Sequence, residues 1–128
     1  MSETTLTPEQ TERVLAIALD LARVGDTEAL AEFVDHGVPV DSSDASGNTL
    51  LMLAAYHGHA DTVRALLNRD ADPNRRNTRD QSPIAGALFK GEDEVVSVLR
   101  QAGADLDAGT PTARATAAMF GREHLLAD

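Results

Sequence analysis

The chain has 128 residues, a formal charge of −10, 3% aromatics and no cysteine. Without cysteine there is no disulfide framework, thiolate metal centre or cysteine nucleophile, and an acidic surface repels phosphate backbones, so no nucleic-acid partner is expected. No apolar run reaches about 18 residues, and the polar stretch Met1 to Pro8 has no basic region followed by an apolar run. The expectations are a single domain, no membrane partner and a cytoplasmic location. Low Lys, enrichment in Ala and Arg, and the lack of Cys point to a bacterial composition.

In chain order, Thr7-Pro8-Glu9-Gln10 reads as an N-cap, a proline at the first helical position and a capping-box glutamine, which predicts a helix over 8–24. Its outward positions Glu9, Glu12, Arg13 and Asp20 are charged, as an end unit of a stack requires. Gly25 marks a turn, and a second helix carrying Leu30 and Phe33-Val34 ends at Gly37. After a polar loop, Thr49 caps a helix with Leu51 and Ala54-Ala55. Gly58 turns the chain into a helix with Val63 and Leu66-Leu67, which ends at Asp70.

The same frame then recurs. Ser82, Ile84, Ala87, Gly91, Val96 and Leu99 stand 33 residues after Thr49, Leu51, Ala54, Gly58, Val63 and Leu66 (82 − 49 = 33). Asp70 occupies the place of Gly37 and Gly103, where a left-handed backbone costs aspartate ~0.5–1 kcal/mol against glycine. Downstream, Ala117-Ala118-Met119-Phe120-Gly121-Arg122 echoes Ala54 to His59, three residues short of a full period. Thr110-Pro111 is expected to open this last helix, with a shortened loop and a slightly lengthened helix. A fixed period of this length means stacked helix pairs with an extended concave surface. The units read as 7–41, 42–74, 75–107 and 108–128, the first and last acting as caps of a complete array.

With that frame in place, the residues resemble ankyrin repeats. The likeness is carried by Gly47-x-Thr49, Ala54-Ala55-x-x-Gly58-His59, Val63-x-x-Leu66-Leu67 and Ala71-Asp72-Pro73-Asn74, and in the next copy by Ser82-Pro83-Ile84, Gly91, Val96-x-x-Leu99 and Gly103-Ala104-Asp105. The resemblance implies an all-α solenoid of antiparallel helix pairs with projecting β-hairpin-like loops. It also implies that partners bind along the inner-helix face and the loop tips. The sequence departs from the family's Thr-Pro-Leu-His at Thr49-Leu50-Leu51-Met52 and Ser82-Pro83-Ile84-Ala85, both lacking the histidine. Asp80 replaces the family's loop glycine, which predicts an altered turn there.

Two features single out a candidate surface. The residues just before each turn glycine are Arg23-Val24, Tyr56-His57, Phe89-Lys90 and Met119-Phe120, so three of the four aromatics fall in one repeat position. They read as a partner-anchoring stripe or as rings packed between repeats. Arg69, Arg75, Arg76, Arg79 and Lys90 form a basic cluster in an acidic chain. They read as a dock for an acidic segment of a protein partner or as a solvated loop balanced by Asp70, Asp72 and Asp80. His57-x-His59 lacks a further ligand at metal spacing, and His36 and His124 stand apart, so no metal is expected. Asp41, Asn74 and Asp107 recur in the loops and read as turn and cap residues, while Asp61 and Asp93 suit helix starts.

No nucleophile–base pair or phosphate loop is visible, so neither enzyme activity nor a cofactor is expected. The functional expectation is a monomeric adaptor that binds a protein through its concave face and loop tips. The alternative is an inhibitor or immunity protein covering a basic enzyme or toxin cleft.

Overall fold

The computed structural model describes residues 6–127. Among them are seven α-helices: α1 Pro8–Val24, α2 Thr27–Asp35, α3 Leu50–Tyr56, α4 Ala60–Leu67, α5 Pro83–Lys90, α6 Asp93–Gln101 and α7 Ala113–Phe120. A 3₁₀ turn follows over Glu123–Leu126. Helices α1, α3, α5 and α7 pack side by side as an inner layer; α2, α4, α6 and the 3₁₀ turn form an outer layer in the same order.

Local chemistry sets each boundary. Thr7 and Gln10 form the reciprocal capping box that opens α1. Thr49, Ser82 and Thr112 each accept a hydrogen bond from the backbone N–H three residues on, at 3.1, 3.2 and 3.0 Å, and so start α3, α5 and α7. The N-cap of the last helix is therefore Thr112, two residues beyond the expected Thr110. Ser82 to Thr112 spans 30 residues (112 − 82), and α7 has the same eight residues as α5, so the loop alone absorbs the shortening.

One apolar core runs from Ala18 to Ala117. Alanines sit where the inner helices approach: Ala22, Ala54, Ala55, Ala87 and Ala117 are fully buried. Leu30, Val63, Leu66, Val96 and Leu99 project inward from the outer layer and are buried to within 1%. With few aromatics, the core depends on close helix contact rather than on large rings.

The loops are tied from unit to unit. Asp41 Oδ1 accepts from the Asp72 N–H (3.0 Å), and Asn74 Oδ1 accepts from the Asp105 N–H (2.7 Å). Asp41 and Asn74 thus tie neighbouring units together, and the bonds within the turns go instead to Asp72 and Asp105. Thr78 N–H donates to Ser46 O at 2.9 Å and Asn77 Nδ2 to Asn48 Oδ1 at 2.9 Å. Ser43 and Thr49 form an isolated antiparallel bridge at the base of the first loop. The turn at Asp80 is not altered. Asp80 takes φ 60° where Gly47 takes φ 78°, and its N–H reaches Asn77 O at 3.0 Å as Gly47 N–H reaches Asp44 O at 2.9 Å.

A further tie follows two of the turn glycines, Gly58 and Gly121. His59 Nε2 donates to Arg23 O at 2.7 Å, and Arg122 donates through a terminal guanidinium nitrogen to Leu88 O at 3.2 Å. Each closes the carbonyl end of the preceding inner helix. Between them, the Glu92 carboxylate lies against Gly58.

Candidate partner-binding groove

The inner helices and the projecting loops enclose an open groove of about 670 Å³. Its helical wall comes from α3, α5 and α7, its loop wall from residues 44–48, 77–81 and Pro111. Met52 and Ala85, at the positions where the family's histidine is absent, lie on the helical wall.

Tyr56, His57, Phe89, Met119 and Phe120 all line this groove, as does Arg79. The rings are not sealed between repeats: Tyr56 is 38% exposed, Phe89 52%, Phe120 41% and Met119 67%. Phe89 and Phe120 meet edge to face with centroids 5.3 Å apart, and Tyr56 meets His57 in the same manner at 5.5 Å. Lys90 holds its ammonium 4.9 Å from the Tyr56 ring centroid, and Arg122 lies 5.3 Å from that of Phe120.

The basic cluster is dispersed. Arg69 sits just past α4 and makes a two-pronged ion pair with Asp35 of α2, at 2.8 and 3.1 Å. The hydrogen bonds from Arg69 hold the Asp35 carboxyl below its ordinary value, and those to Asp35 raise the Arg69 guanidinium. Arg76 pairs with Asp80 at 3.2 Å, and neither Arg75 nor Arg76 lines the groove. Arg79 does, and the described residues offer its side chain no carboxylate.

Apart from Arg23, the sequence singled out no residue of the polar edge. Arg23, Asp44, Asn48, Asn77 and Gln81 line it. Asp44 Oδ1 accepts from the N–H groups of Ser46 and Asn48, each at 2.9 Å, and Arg23 stands 3.8 Å from its other oxygen. Burial raises the Asp44 pKa, but the bonds from Asn48 and Ser46 and the Arg23 charge outweigh it and hold the carboxyl below its ordinary value. Asn77 continues the edge, donating to Asn48 Oδ1 and to Gln81 Oε1 at 2.9 and 2.7 Å. The signal available in the sequence was the matched pair Asp44/Asn77 in the repeat frame.

His36 and His57 are engaged within their own helices, and His59 in the tie to Arg23 O. His57 Nδ1 donates to Leu53 O at 2.8 Å, and His57 and His59 stack with centroids 6.4 Å apart. Among the described residues no group of three or more His, Asp or Glu side chains is placed to hold a metal ion, and no helix is long and apolar enough to cross a membrane.

A family model described as ankyrin repeats in three copies matches residues 15–110. A Pseudomonas aeruginosa protein named for its ankyrin repeats is 44% identical over 55 residues, covering 43% of this chain and 32% of that protein. The inactive serine/threonine-protein kinase TEX14 of Mus musculus is 33% identical over 87 residues, 68% of this chain and 6% of its own length. Oxysterol-binding protein-related protein 1 of Homo sapiens is 38% identical over 77 residues, 59% of this chain and 8% of its own. The chain thus spans less than a third of the length of each of these relatives. The stacked helix pairs, their capping pattern and this match agree: the chain belongs to the ankyrin-repeat family.

Proposed function

We propose that this chain is a non-enzymatic adaptor whose groove docks a segment of a protein partner presenting acidic residues. Ankyrin repeats in general are protein-interaction modules. The observation that carries the finer reading is one exposed groove wall, Tyr56, Phe89 and Phe120 with Met119, bordered by two cations that no carboxylate among the described residues neutralises, Arg79 and Lys90. Exposed aromatics supply contact area at small entropic cost, and uncompensated cations supply charge selection. The charged groove edge also favours an adaptor over a purely acidic plug for a basic cleft.

The test is affinity capture from the source cell with tagged wild type, the Tyr56→Ala/Phe89→Ala/Phe120→Ala variant and the Arg79→Glu/Lys90→Glu variant. Both variants should lose the captured partner by about tenfold or more. Arg75→Glu/Arg76→Glu, outside the groove, should capture it as wild type does. Equal recovery by all four proteins would reject the groove as the docking face.

A further inference from the structure

Gly86 sits in the middle of α5, on the groove wall. A glycine there destabilises a helix relative to alanine, because it loses more backbone freedom on folding. A glycine is required where the backbone is left-handed or where a neighbour comes too close for a Cβ. Neither applies here, because Gly86 has no positive φ, and a Cβ added to it would meet Tyr56 Cδ1 alone, at an ordinary 3.6 Å. The repeat frame places Leu53 and Thr116 at the matching positions of α3 and α7, both buried and both lining the same groove. The wall therefore drops between two larger side chains, at a position where the fold has room for a methyl group and gains from one.

The surroundings of this pit select its occupant. One edge of the Tyr56 ring borders it, while Lys90 holds its ammonium 4.9 Å from the same ring's centroid. Arg79 faces the groove from the loop wall. Arg23, Arg64, Arg69, Arg76 and Arg114 are paired with carboxylates in this acid-rich chain, whereas Lys90 and Arg79, like Arg13, Arg75 and Arg122, have none among the described residues, and of these Lys90 and Arg79 flank the pit's side of the groove.

We propose that Gly86 opens a specificity pit for an aliphatic side chain of a bound peptide segment, and that a carboxylate within a few residues of that side chain is met by Lys90 and Arg79. This rests on the groove being the docking face, as proposed above. Gly86 is then a specificity-determining residue whose cost in helix stability leaves the pit open.

The probe is a phage-displayed library of random 12-residue peptides, selected on the immobilised full chain, with the winners synthesised and their affinities measured. The recovered peptides should share a Leu, Ile, Val or Met close to an Asp or Glu. Gly86→Ala should melt a few degrees higher than wild type while binding these peptides more weakly, and Gly86→Leu should weaken them by about tenfold or more. Lys90→Glu should weaken them similarly, and a peptide with lysine in place of its acid should recover that loss.

Peptides that lose affinity for the Tyr56→Ala/Phe89→Ala/Phe120→Ala variant but bind Gly86→Ala and Gly86→Leu as they bind wild type would overturn the pit alone. Should Gly86→Leu fail to fold, unchanged affinity for Gly86→Ala overturns it. Recovery of no peptide, or of peptides indifferent to the triple variant, would overturn the groove reading itself. A wild-type dimer that becomes monomeric in Gly86→Leu would assign the pit to a second copy of this chain and overturn the proposal.

Discussion

Asp70 adopts φ 69° where the equivalent residues of the neighbouring units are Gly37 and Gly103, at φ 118° and 84°. It ends α4 in the same manner as they end α2 and α6: the following N–H, of Ala71, returns to Leu66 O at 3.0 Å, as Val38 returns to Phe33 O and Ala104 to Leu99 O. Its carboxylate also adds negative charge where helix carbonyls already point outward. Asp70→Gly relieves both effects and is expected to stabilise the chain by about 0.5–1 kcal/mol. Asp70→Ala keeps the left-handed strain without aspartate's tolerance for it and should destabilise by a similar amount. Urea unfolding of the three proteins checks the order Gly, Asp, Ala; an alanine variant as stable as the glycine one would show that the backbone is not strained.

At the scale of the element, helix starts and ends were legible because a cap or a turn glycine acts within four residues of itself. The last loop was less so: the missing three residues were visible in the spacing, but whether loop or helix lost them depended on which threonine captured the Ala115 N–H. The ties made by Asp41 and Asn74 were invisible for a different reason, since each partner lies 31 residues away and only stacking brings it near. Gly86 carries no local signature in the sequence, because its meaning depends on Leu53 and Thr116 beside it.

The loops do permit an internal comparison. Asn77 at the position of Asp44 makes the matching bonds, its Oδ1 accepting from the N–H groups of Arg79 and Gln81 at 2.9 and 3.0 Å. Asp44→Asn should therefore keep the loop, with neutral-pH stability changed by no more than about 0.5 kcal/mol. The acid limb should differ. The folded Asp44 pKa lies below its unfolded value of 3.8, so its contribution is present above that value and is lost as pH falls through the lowered one. Urea midpoints measured from pH 6 down to about pH 2 should fall less steeply in the variant, while the Asp35–Arg69 pair leaves both proteins some acid sensitivity. Identical slopes would mean that Asp44 is no more acidic folded than unfolded.

Over the whole molecule, 21 acidic residues face 11 basic ones. Part of this charge is arranged to hold units together across the outer layer: Arg69 pairs with Asp35 between α4 and α2, and Arg64 with Glu94 between α4 and α6 at 2.7 Å. These side chains are between 30% and 66% exposed, so each pair contributes little and weakens with salt. Opposing them is the mutual repulsion of ten unbalanced negative charges, which is long-ranged and is also screened once the Debye length falls to about 10 Å. The excess exceeds the number of outer-layer ties, and the apolar core is indifferent to modest sodium chloride. Screening should therefore relieve more repulsion than it removes attraction. Raising sodium chloride from about 10 mM to about 0.3 M is expected to raise the thermal midpoint by a few degrees. Arg69→Gln, lacking one tie, should gain at least as much as wild type does. A midpoint that falls with salt would instead make the outer ion pairs the stronger influence on how the stack holds together.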